Sequence, residues 1–269
     1  MRLGASTRVR IRAPPPLVPG PSAVLVPSVA SSLSIDVLAR AAVETLKVSM
    51  PTLVEASMGL LTAEVCTDRL DSWSRNLVRQ ARIDLDVSGR EHLTPGEAYV
   101  VMSNHQSHYD IPVLFQALRV PLRMVAKKEL YRIPIMAHAM RAAGFVEVDR
   151  SDRRSAISTL ESARERLSDA ISIWIAPEGT RSLDGRLGSF KKGGFHLALG
   201  TGLRILPVTI EGTRGALPAK GLTVRKGARV RVTIAKPIDP ADYGPSRMAD
   251  LVRDVRSAIE GNLPLELRG

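Results

Sequence analysis

The pattern of apolar and charged positions divides the chain near residue 83. Before that point charged residues recur at helical spacing with apolar residues between them, beginning with Asp36, Arg40, Glu44 and Lys47. Such spacing is typical of an amphipathic helix. Pro51 is expected to interrupt this helix, because proline removes a backbone donor. Residues 34–82 are therefore predicted to form a hairpin of two helices.

The second predicted helix, from Thr52 to Arg82, carries a basic face and an apolar face. The basic residues are Arg75, Arg79 and Arg82. Two interpretations are open at this point. The hairpin either packs on the following domain or lies in a lipid interface, with its basic side toward headgroups and Trp73 at the boundary.

From residue 83 onward, short apolar runs alternate with longer helical ones. The predicted strands are 83–87, 98–103, 122–126, 145–148, 171–176, 205–211 and 229–235, and the predicted helices are 111–118, 129–143, 153–168, 192–200 and 247–260. Strands separated by helices of this length indicate an α/β fold with a largely parallel sheet of about seven strands. Functional side chains are then expected at the carboxyl ends of the strands.

The first 33 residues differ from the rest of the chain. They are rich in proline and arginine and contain no acidic residue, which gives them some transit-peptide character. Their prolines would break a membrane-spanning helix, and no uninterrupted apolar run suggests a secretory signal. We therefore expect a disordered leader over residues 1–33, helices over 34–82 and one α/β domain over 83–269.

The charge of the chain is strongly basic, with 38 Lys and Arg against 27 Asp and Glu and a net charge of +11. This excess favours an anionic partner, which could be nucleic acid, a lipid surface or a phosphorylated substrate. Aromatic residues make up only 4% of the chain, which disfavours a protein that stacks single-stranded bases. The single cysteine, Cys66, excludes an internal disulfide and indicates a reducing compartment.

The segment from Ser103 to Asp110 follows a predicted strand and leads into a helix with Pro112 in its first turn. In such a turn, Asp110 can accept a hydrogen bond from one ring nitrogen of His105 and leave the other nitrogen as a base. Two other interpretations are open. The pair could be purely structural, or His105, His108 and Asp110 could bind a metal, although no further His or Cys cluster supports this.

Basic side chains follow several other predicted strands. Arg181 lies in the loop Pro177–Ser182, Arg150 follows the strand at 145–148, and Lys127 follows the strand at 122–126. An arginine in a loop at a strand end suits bidentate capture of a phosphate or carboxylate. Several such charges at strand ends indicate a phosphate pocket.

Four segments in this order resemble the glycerolipid acyltransferase family, specifically the 1-acylglycerol-3-phosphate O-acyltransferases, over roughly residues 83–237. They are Asn104-His105 with Asp110, Gly144–Arg150, Glu178-Gly179-Thr180-Arg181, and Ile205–Val208. The sequence departs from the family pattern at Glu147, where an apolar residue is more usual. That departure concerns the face of the strand on which Glu147 lies, and it does not affect Arg150.

The resemblance implies a general base, its partner and a set of acceptor-binding residues. They are His105 as base, Asp110 as partner, and Lys127, Arg150, Glu178, Gly179, Thr180 and Arg181 around the acceptor. The implied reaction moves an acyl chain from acyl-CoA or acyl carrier protein to the sn-2 hydroxyl of 1-acyl-glycerol-3-phosphate. Three alternatives are open: transfer to glycerol 3-phosphate or an ornithine lipid, metal-dependent hydrolysis, and a non-enzymatic basic protein that binds membranes or nucleic acid.

The same resemblance and the charge of the chain set the expected surroundings of the protein. We expect no metal, no cofactor beyond the acyl thioester and no nucleic-acid partner. An anionic membrane surface is expected to bind the protein peripherally or monotopically at its cytoplasmic face.

Overall fold

The central element of the structure is a seven-stranded β-sheet, described in a computed structural model over residues 34–148, 171–221 and 223–269. The strands are β1 Asp84–Ser88, β2 Val100–Ser103, β3 Leu122–Lys127, β4 Val146–Val148, β5 Ser172–Ile175, β6 Ile205–Glu211 and β7 Arg229–Ile234. Their order is β1-β7-β6-β2-β5-β3-β4, and every neighbouring pair is parallel except β6 with β7. The predicted α/β fold with a largely parallel sheet is confirmed.

Helices precede the sheet and connect its strands. They are α1 Ser34–Ser57, α2 Ala63–Gln80, α3 Asp110–Leu118, α4 Pro134–Ala142, α5 Gly193–Thr201, the short α6 Thr213–Ala216 and α7 Met248–Glu260. Single 3-10 turns lie at Arg90–His92, Lys128–Arg132, Pro240–Asp242, Pro245–Arg247 and Leu265–Leu267. The predicted leader at 1–33, the predicted helix at 153–168 and Arg150 lie outside the described residues.

Both faces of the sheet are covered, which explains why the central strands are continuously apolar. Val100 and Met102 of β2 belong to a core that contains side chains of α5 and α7. Val101, on the opposite face of the same strand, belongs to a second core that contains side chains of α3. Because side chains alternate along a strand, β2 has no solvent-exposed face and all four of its residues are buried.

The boundary between the first two helices differs from the prediction, because α1 continues through Pro51 as far as Ser57. The hydroxyl of Thr52 donates to the carbonyl of Val48 at 2.7 Å, and α1 packs against α2 and α4. The chain turns instead at Gly59, whose φ is +68°, before Thr62 caps α2. A proline removes one backbone hydrogen bond from a helix, and here the surrounding packing holds the helix together. The predicted boundary at Pro51 was wrong.

The second helix is packed against the α/β domain. The ring of Trp73 meets that of Phe115 edge-on, with 6.4 Å between their centroids, and its Nε1 donates to Thr45 Oγ1 at 3.2 Å. Arg123 of β3 is 1% exposed and donates to the backbone carbonyls of Ala63 and Ala143, which ties α2 to the end of α4. Trp73 therefore packs between helices, as expected if the hairpin packs on the following domain, and its position at a lipid boundary stays a prediction.

The first helix has an exposed apolar side. The outward residues are Val43, Leu46, Met50 and Val54 of α1 and Met58 directly after it, each 47–63% exposed. Ile133 and Ile135, at the beginning of the neighbouring α4, are 55% and 43% exposed. These seven residues are called the α1/α4 surface below. Within the described ranges, no helix combines the length and hydropathy needed to cross a membrane.

We predict that Gly89→Ala destabilises the protein more than Gly96→Ala does. Both glycines have a positive φ, +86° and +79°, but a Cβ at Gly89 would lie 2.0 Å from the carbonyl oxygen of Ile234, whereas one at Gly96 would meet nothing within 4 Å. Gly96→Ala should cost about 1–2 kcal/mol from the backbone conformation, and Gly89→Ala about 3 kcal/mol or more. Urea unfolding measures both, and equal losses would contradict the close approach of the chain after β1 to the end of β7.

Candidate active site

The order of the strands brings four loops to one edge of the sheet. Strands β6, β2, β5 and β3 are consecutive and mutually parallel, so their carboxyl ends lie side by side. His105 follows β2, Arg181 follows β5 and Lys127 ends β3, as predicted. This edge of the sheet therefore collects His105, Arg181 and Lys127, in agreement with the rule for open parallel sheets, whereas Arg150 lies outside the described residues.

His105 and Asp110 form the predicted hydrogen bond, with 2.7 Å between Nδ1 and Oδ2. Asp110 is fully buried at the beginning of α3, and its Oδ2 also accepts from the backbone N–H groups of Gln106 and Ser107 at 2.7 and 2.9 Å. Because an ionised carboxylate only accepts, Nδ1 of His105 carries a proton and Nε2 is left as the base. The hydrogen bond is confirmed, whereas the catalytic role stays a prediction.

Thr213 is a buried member of the site that the sequence analysis missed. Its hydroxyl donates to the other carboxylate oxygen of Asp110, Oδ1, at 2.5 Å, and the residue is 0% exposed. It begins α6, directly after β6, and is 103 residues from Asp110 in the sequence. A single threonine belongs to no spaced motif. Its position just after a predicted strand, where functional side chains are expected, was the one indication of a role in the site.

Neighbouring side chains fix the turn that contains His105. The amide of Asn104 makes two hydrogen bonds to the backbone of Ile210 in β6, of 2.7 and 2.8 Å. The imidazole of His105 meets the ring of Trp174 edge-on at 5.3 Å, and Trp174 donates from Nε1 to Ser103 Oγ at 2.9 Å. The turn after β2 is thus held by β6 on one side and by β5 on the other.

Glu178 is buried and its two carboxylate oxygens accept different backbone donors. Oε1 accepts from the N–H of His105 and Oε2 from the N–H of Gly188, both at 2.8 Å. Burial raises the pKa of Glu178, and the two hydrogen bonds oppose that rise. Glu178 therefore positions the backbone of His105 by direct contact. The contact of Glu178 with the acceptor, which the resemblance implies, stays a prediction.

Positive charges lie around His108, in the same turn as His105. The pKa of His108 is lowered to about 4, chiefly by burial and then by the charges of Arg181, His105 and Lys127, whereas Asp110 opposes the shift. The side chain is exposed toward a cavity that it lines, so the effect of burial is smaller than for an enclosed group, while the neighbouring positive charges act in the same direction. Burial also lowers the pKa of the Arg181 guanidinium. At neutral pH His108 is uncharged, so the positive charge at this place comes from Arg181 and Lys127.

The loop after β5 brings a further cation to the site. Gly179 has a φ of +73°, and a Cβ there would lie 3.0 Å from the side chain of Lys191. The backbone N–H of Lys191 donates to the carbonyl of Pro177 at 2.8 Å. Lys191 therefore lies beside the Glu178–Arg181 motif, in which Thr180 is exposed.

A cavity of about 640 Å³ reaches His108, in the turn that contains His105. Its walls are mainly apolar side chains of α1, α2 and α4, including Ala42, Val48, Leu70, Met136 and Met140. No group of three His, Cys, Asp or Glu side chains suited to a metal ion occurs in the part of the chain that the structure describes.

Comparison with known proteins identifies the family. The family model described as Acyltransferase matches residues 84–211. The solved structure of the 1-acyl-sn-glycerophosphate (LPA) acyltransferase PlsC from Thermotoga maritima matches with a TM-score of 0.71 and 27% identity, over 84% of this chain and 91% of that one. The fold and the matching family model agree, and the chain contains a domain of the acyltransferase family at residues 84–211.

Two curated relatives have the same kind of name. A 1-acyl-sn-glycerol-3-phosphate acyltransferase of Chlamydomonas reinhardtii is 35% identical over 185 residues, which are 68% of this chain and 54% of the relative. The chloroplastic 1-acyl-sn-glycerol-3-phosphate acyltransferase of Arabidopsis thaliana is 37% identical over 182 residues, which are 67% of this chain and 49% of the relative. The match thus spans about half the length of these relatives.

Proposed function

We propose that the protein transfers an acyl chain from acyl-CoA or acyl carrier protein to the sn-2 hydroxyl of 1-acyl-glycerol-3-phosphate, giving phosphatidic acid. The observation that carries this proposal is the His105–Asp110 hydrogen bond in a turn next to Arg181 and Lys127. The names of the relatives in Chlamydomonas reinhardtii and Arabidopsis thaliana support the choice of acceptor.

The proposed chemistry is direct transfer with His105 as the base. Nε2 of His105 takes the proton of the sn-2 hydroxyl as its oxygen bonds to the thioester carbonyl carbon. The carbon–sulfur bond then breaks, and the imidazolium returns the proton to the leaving thiolate. Asp110 stabilises that imidazolium across the 2.7 Å hydrogen bond. Base assistance of this kind contributes roughly two to four orders of magnitude in rate.

The charges around His108 suit a phosphorylated acceptor. Arg181 offers two parallel donors to phosphate, and Lys127 adds a second positive charge beside it. We assign Arg181 and Lys127 to the acceptor phosphate.

The apolar cavity supports an acylated substrate. Its volume of about 640 Å³ lies within the usual range for ligand pockets, and it reaches His108, three residues after His105. An acyl chain in this cavity would be removed from water, while the reacting groups stay at the polar edge of the sheet. We assign the cavity to an acyl chain of the acceptor or the donor.

A membrane surface is the proposed place of action, at its cytoplasmic face and without a spanning helix in the described ranges. Exposed apolar residues of the α1/α4 surface can enter the acyl boundary, and the net charge of +11 attracts anionic headgroups. The acceptor carries an acyl chain and resides in the bilayer, so a bound enzyme meets it there.

We predict that His105→Ala and Asp110→Asn reduce acyl transfer by about a hundredfold or more. The first removes the proposed base, and the second weakens the group that orients it. The assay follows thiol release from acyl-CoA that depends on 1-acyl-glycerol-3-phosphate. The control is His138→Ala, which changes an exposed histidine bonded to the carbonyl of Pro134. Activity of His105→Ala within tenfold of the parent would exclude His105 as the base.

The same assay separates this mechanism from metal-dependent hydrolysis. A metal site made by His105, His108 and Asp110 requires His108, whereas the proposed base does not. His108→Ala should therefore retain activity within about tenfold, and a chelator should have no effect. Loss of activity with the chelator, restored by a divalent metal, would favour the metal-dependent alternative.

We predict that Arg181→Lys raises the Michaelis constant for the acceptor about ten- to a hundredfold, since lysine keeps the charge but loses the paired donors. The constant for the acyl donor should change little. Arg186→Lys, at an exposed position in the same loop, is the matched control. An effect of Arg181→Lys on the donor alone would assign this charge to coenzyme A phosphates.

We predict that replacing Val43, Leu46 and Met50 together by glutamine weakens binding to anionic vesicles about tenfold or more, because apolar area no longer enters the lipid. These residues point outward from α1, so the fold should be retained. Leu265→Gln, at a position 77% exposed in the C-terminal 3-10 turn, is the control. Unchanged cosedimentation of the triple variant would exclude the α1/α4 surface as the membrane contact.

A further inference from the structure

We propose that Thr213 is a positioning residue that holds Asp110 in place and sets the basicity of His105. The proposal rests on the proposed function, because it takes His105 as the base. Thr213 belongs to none of the four segments that carry the family resemblance.

The two oxygens of the Asp110 carboxylate accept hydrogen bonds from different donors. Oδ2 accepts from Nδ1 of His105 and from the backbone N–H groups of Gln106 and Ser107. Within the described ranges, Oδ1 accepts from the hydroxyl of Thr213, at 2.5 Å. Asp110 and Thr213 are both 0% exposed, so water does not compete for this hydrogen bond. Thr213 thus satisfies the half of the carboxylate that the turn itself does not reach.

The chain after β6 is built to place this hydroxyl. Gly212 has a φ of +94°, and a Cβ there would lie 2.1 Å from the carbonyl oxygen of Arg229, so the turn requires glycine. A second contact ties the same segment to the catalytic turn, because the hydroxyl of Ser107 donates to the carbonyl of Leu217 at 2.7 Å. Two hydrogen bonds, from Thr213 to Asp110 and from Ser107 to Leu217, therefore fix the turn that carries His105.

A hydroxyl donor on a buried carboxylate changes what the carboxylate does to its other partner. By donating to Oδ1, Thr213 takes up part of the negative charge of Asp110 and leaves less of it to stabilise the imidazolium of His105. Without the hydroxyl, Oδ1 is a buried acceptor without a donor, and more of the carboxylate charge acts on the imidazole through the retained hydrogen bond between Oδ2 and Nδ1. Loss of Thr213 should therefore favour the protonated imidazole and loosen the carboxylate that orients it.

Other charged groups act on the same pair and must stay unchanged in the test. Glu178 bonds the backbone of His105, and Arg181 and His108 interact electrostatically with Asp110. Lys127 acts on His108 from the end of β3. None of these four side chains contacts Thr213 in a described hydrogen bond or ion pair, so a substitution at Thr213 leaves their charges in place.

The test compares Thr213→Val, which loses the hydroxyl at nearly constant volume, with Thr213→Ser, which keeps it. Thr209→Val is the matched control, because Thr209 lies on β6, is 3% exposed and donates to the carbonyl of Ile259 at 2.8 Å, away from Asp110. The readouts are kcat and KM for the acceptor, the pH profile of kcat/KM, and the NMR titration of the His105 imidazole, assigned by its loss in His105→Ala.

We expect Thr213→Val to lower kcat about ten- to a hundredfold at neutral pH, with KM for the acceptor within about twofold of the parent value. The acidic limb of the profile and the NMR titration of His105 should both move upward by about half a pH unit to one unit. Thr213→Ser should restore most of kcat and the parent titration, and Thr209→Val should leave both unchanged. If Thr213→Val does not fold, Thr213→Ala replaces it.

Three outcomes would overturn the proposal: an unshifted His105 titration in Thr213→Val, no recovery in Thr213→Ser, or an equal shift in Thr209→Val. The NMR titration also separates this inference from the proposed function, because it does not require turnover. A parent protein without acceptor-dependent thioester consumption would refute the proposed function. A shift of the His105 titration between such a parent and its Thr213→Val variant would still support the contact of Thr213 with the His105–Asp110 pair.

Discussion

The buried carboxylate of Asp110 is the constraint on which the arrangement of this site depends. An ionised group without solvent costs several kcal/mol unless donors replace the lost water. Asp110 meets four donors: an imidazole nitrogen, two backbone N–H groups and a hydroxyl. Three come from the turn after β2, and the fourth requires the chain after β6 to lie beside that turn. Stabilising this one charge therefore demands a particular neighbour for β2 in the sheet.

The order of the strands meets that demand and also brings in the other residues that hold His105, the proposed base. With β6 on one side of β2, Asn104 pairs with the backbone of Ile210. With β5 on the other side, Glu178 reaches the N–H of His105 and Trp174 meets its ring edge-on. His105 is thus held by residues from three adjacent strands or the loops that follow them. Such support restricts the imidazole to one orientation, which is what a general base requires.

The sequence predicted the parts of this arrangement that depend on local patterns. Alternation of strands and helices gave the α/β fold, and the spacing of His105 and Asp110 in a strand-to-helix turn gave their hydrogen bond. The contacts that the sequence could not predict join residues that lie far apart along the chain. Thr213 matters because β6 lies next to β2, and no local pattern shows that order. Helix α1 passes through Pro51 because packing on α2 and α4 outweighs one lost hydrogen bond, whereas local propensity predicts an end there.

The apolar cavity depends on the same helix, and its wall is less polar than its sequence indicates. Thr45 and Thr52 line the cavity, yet their hydroxyls donate to carbonyls one turn earlier in α1, at 2.8 and 2.7 Å. A hydroxyl satisfied within its own helix demands no partner from a ligand. Arg69 also lines the cavity, but it donates to Thr52 and is paired with Glu55, so the wall is mainly apolar up to His108, near which the charges of Arg181 and Lys127 lie. A ligand with a long apolar chain and an anionic end matches this change of polarity, and this correspondence links the N-terminal helices to the chemistry proposed at the edge of the sheet.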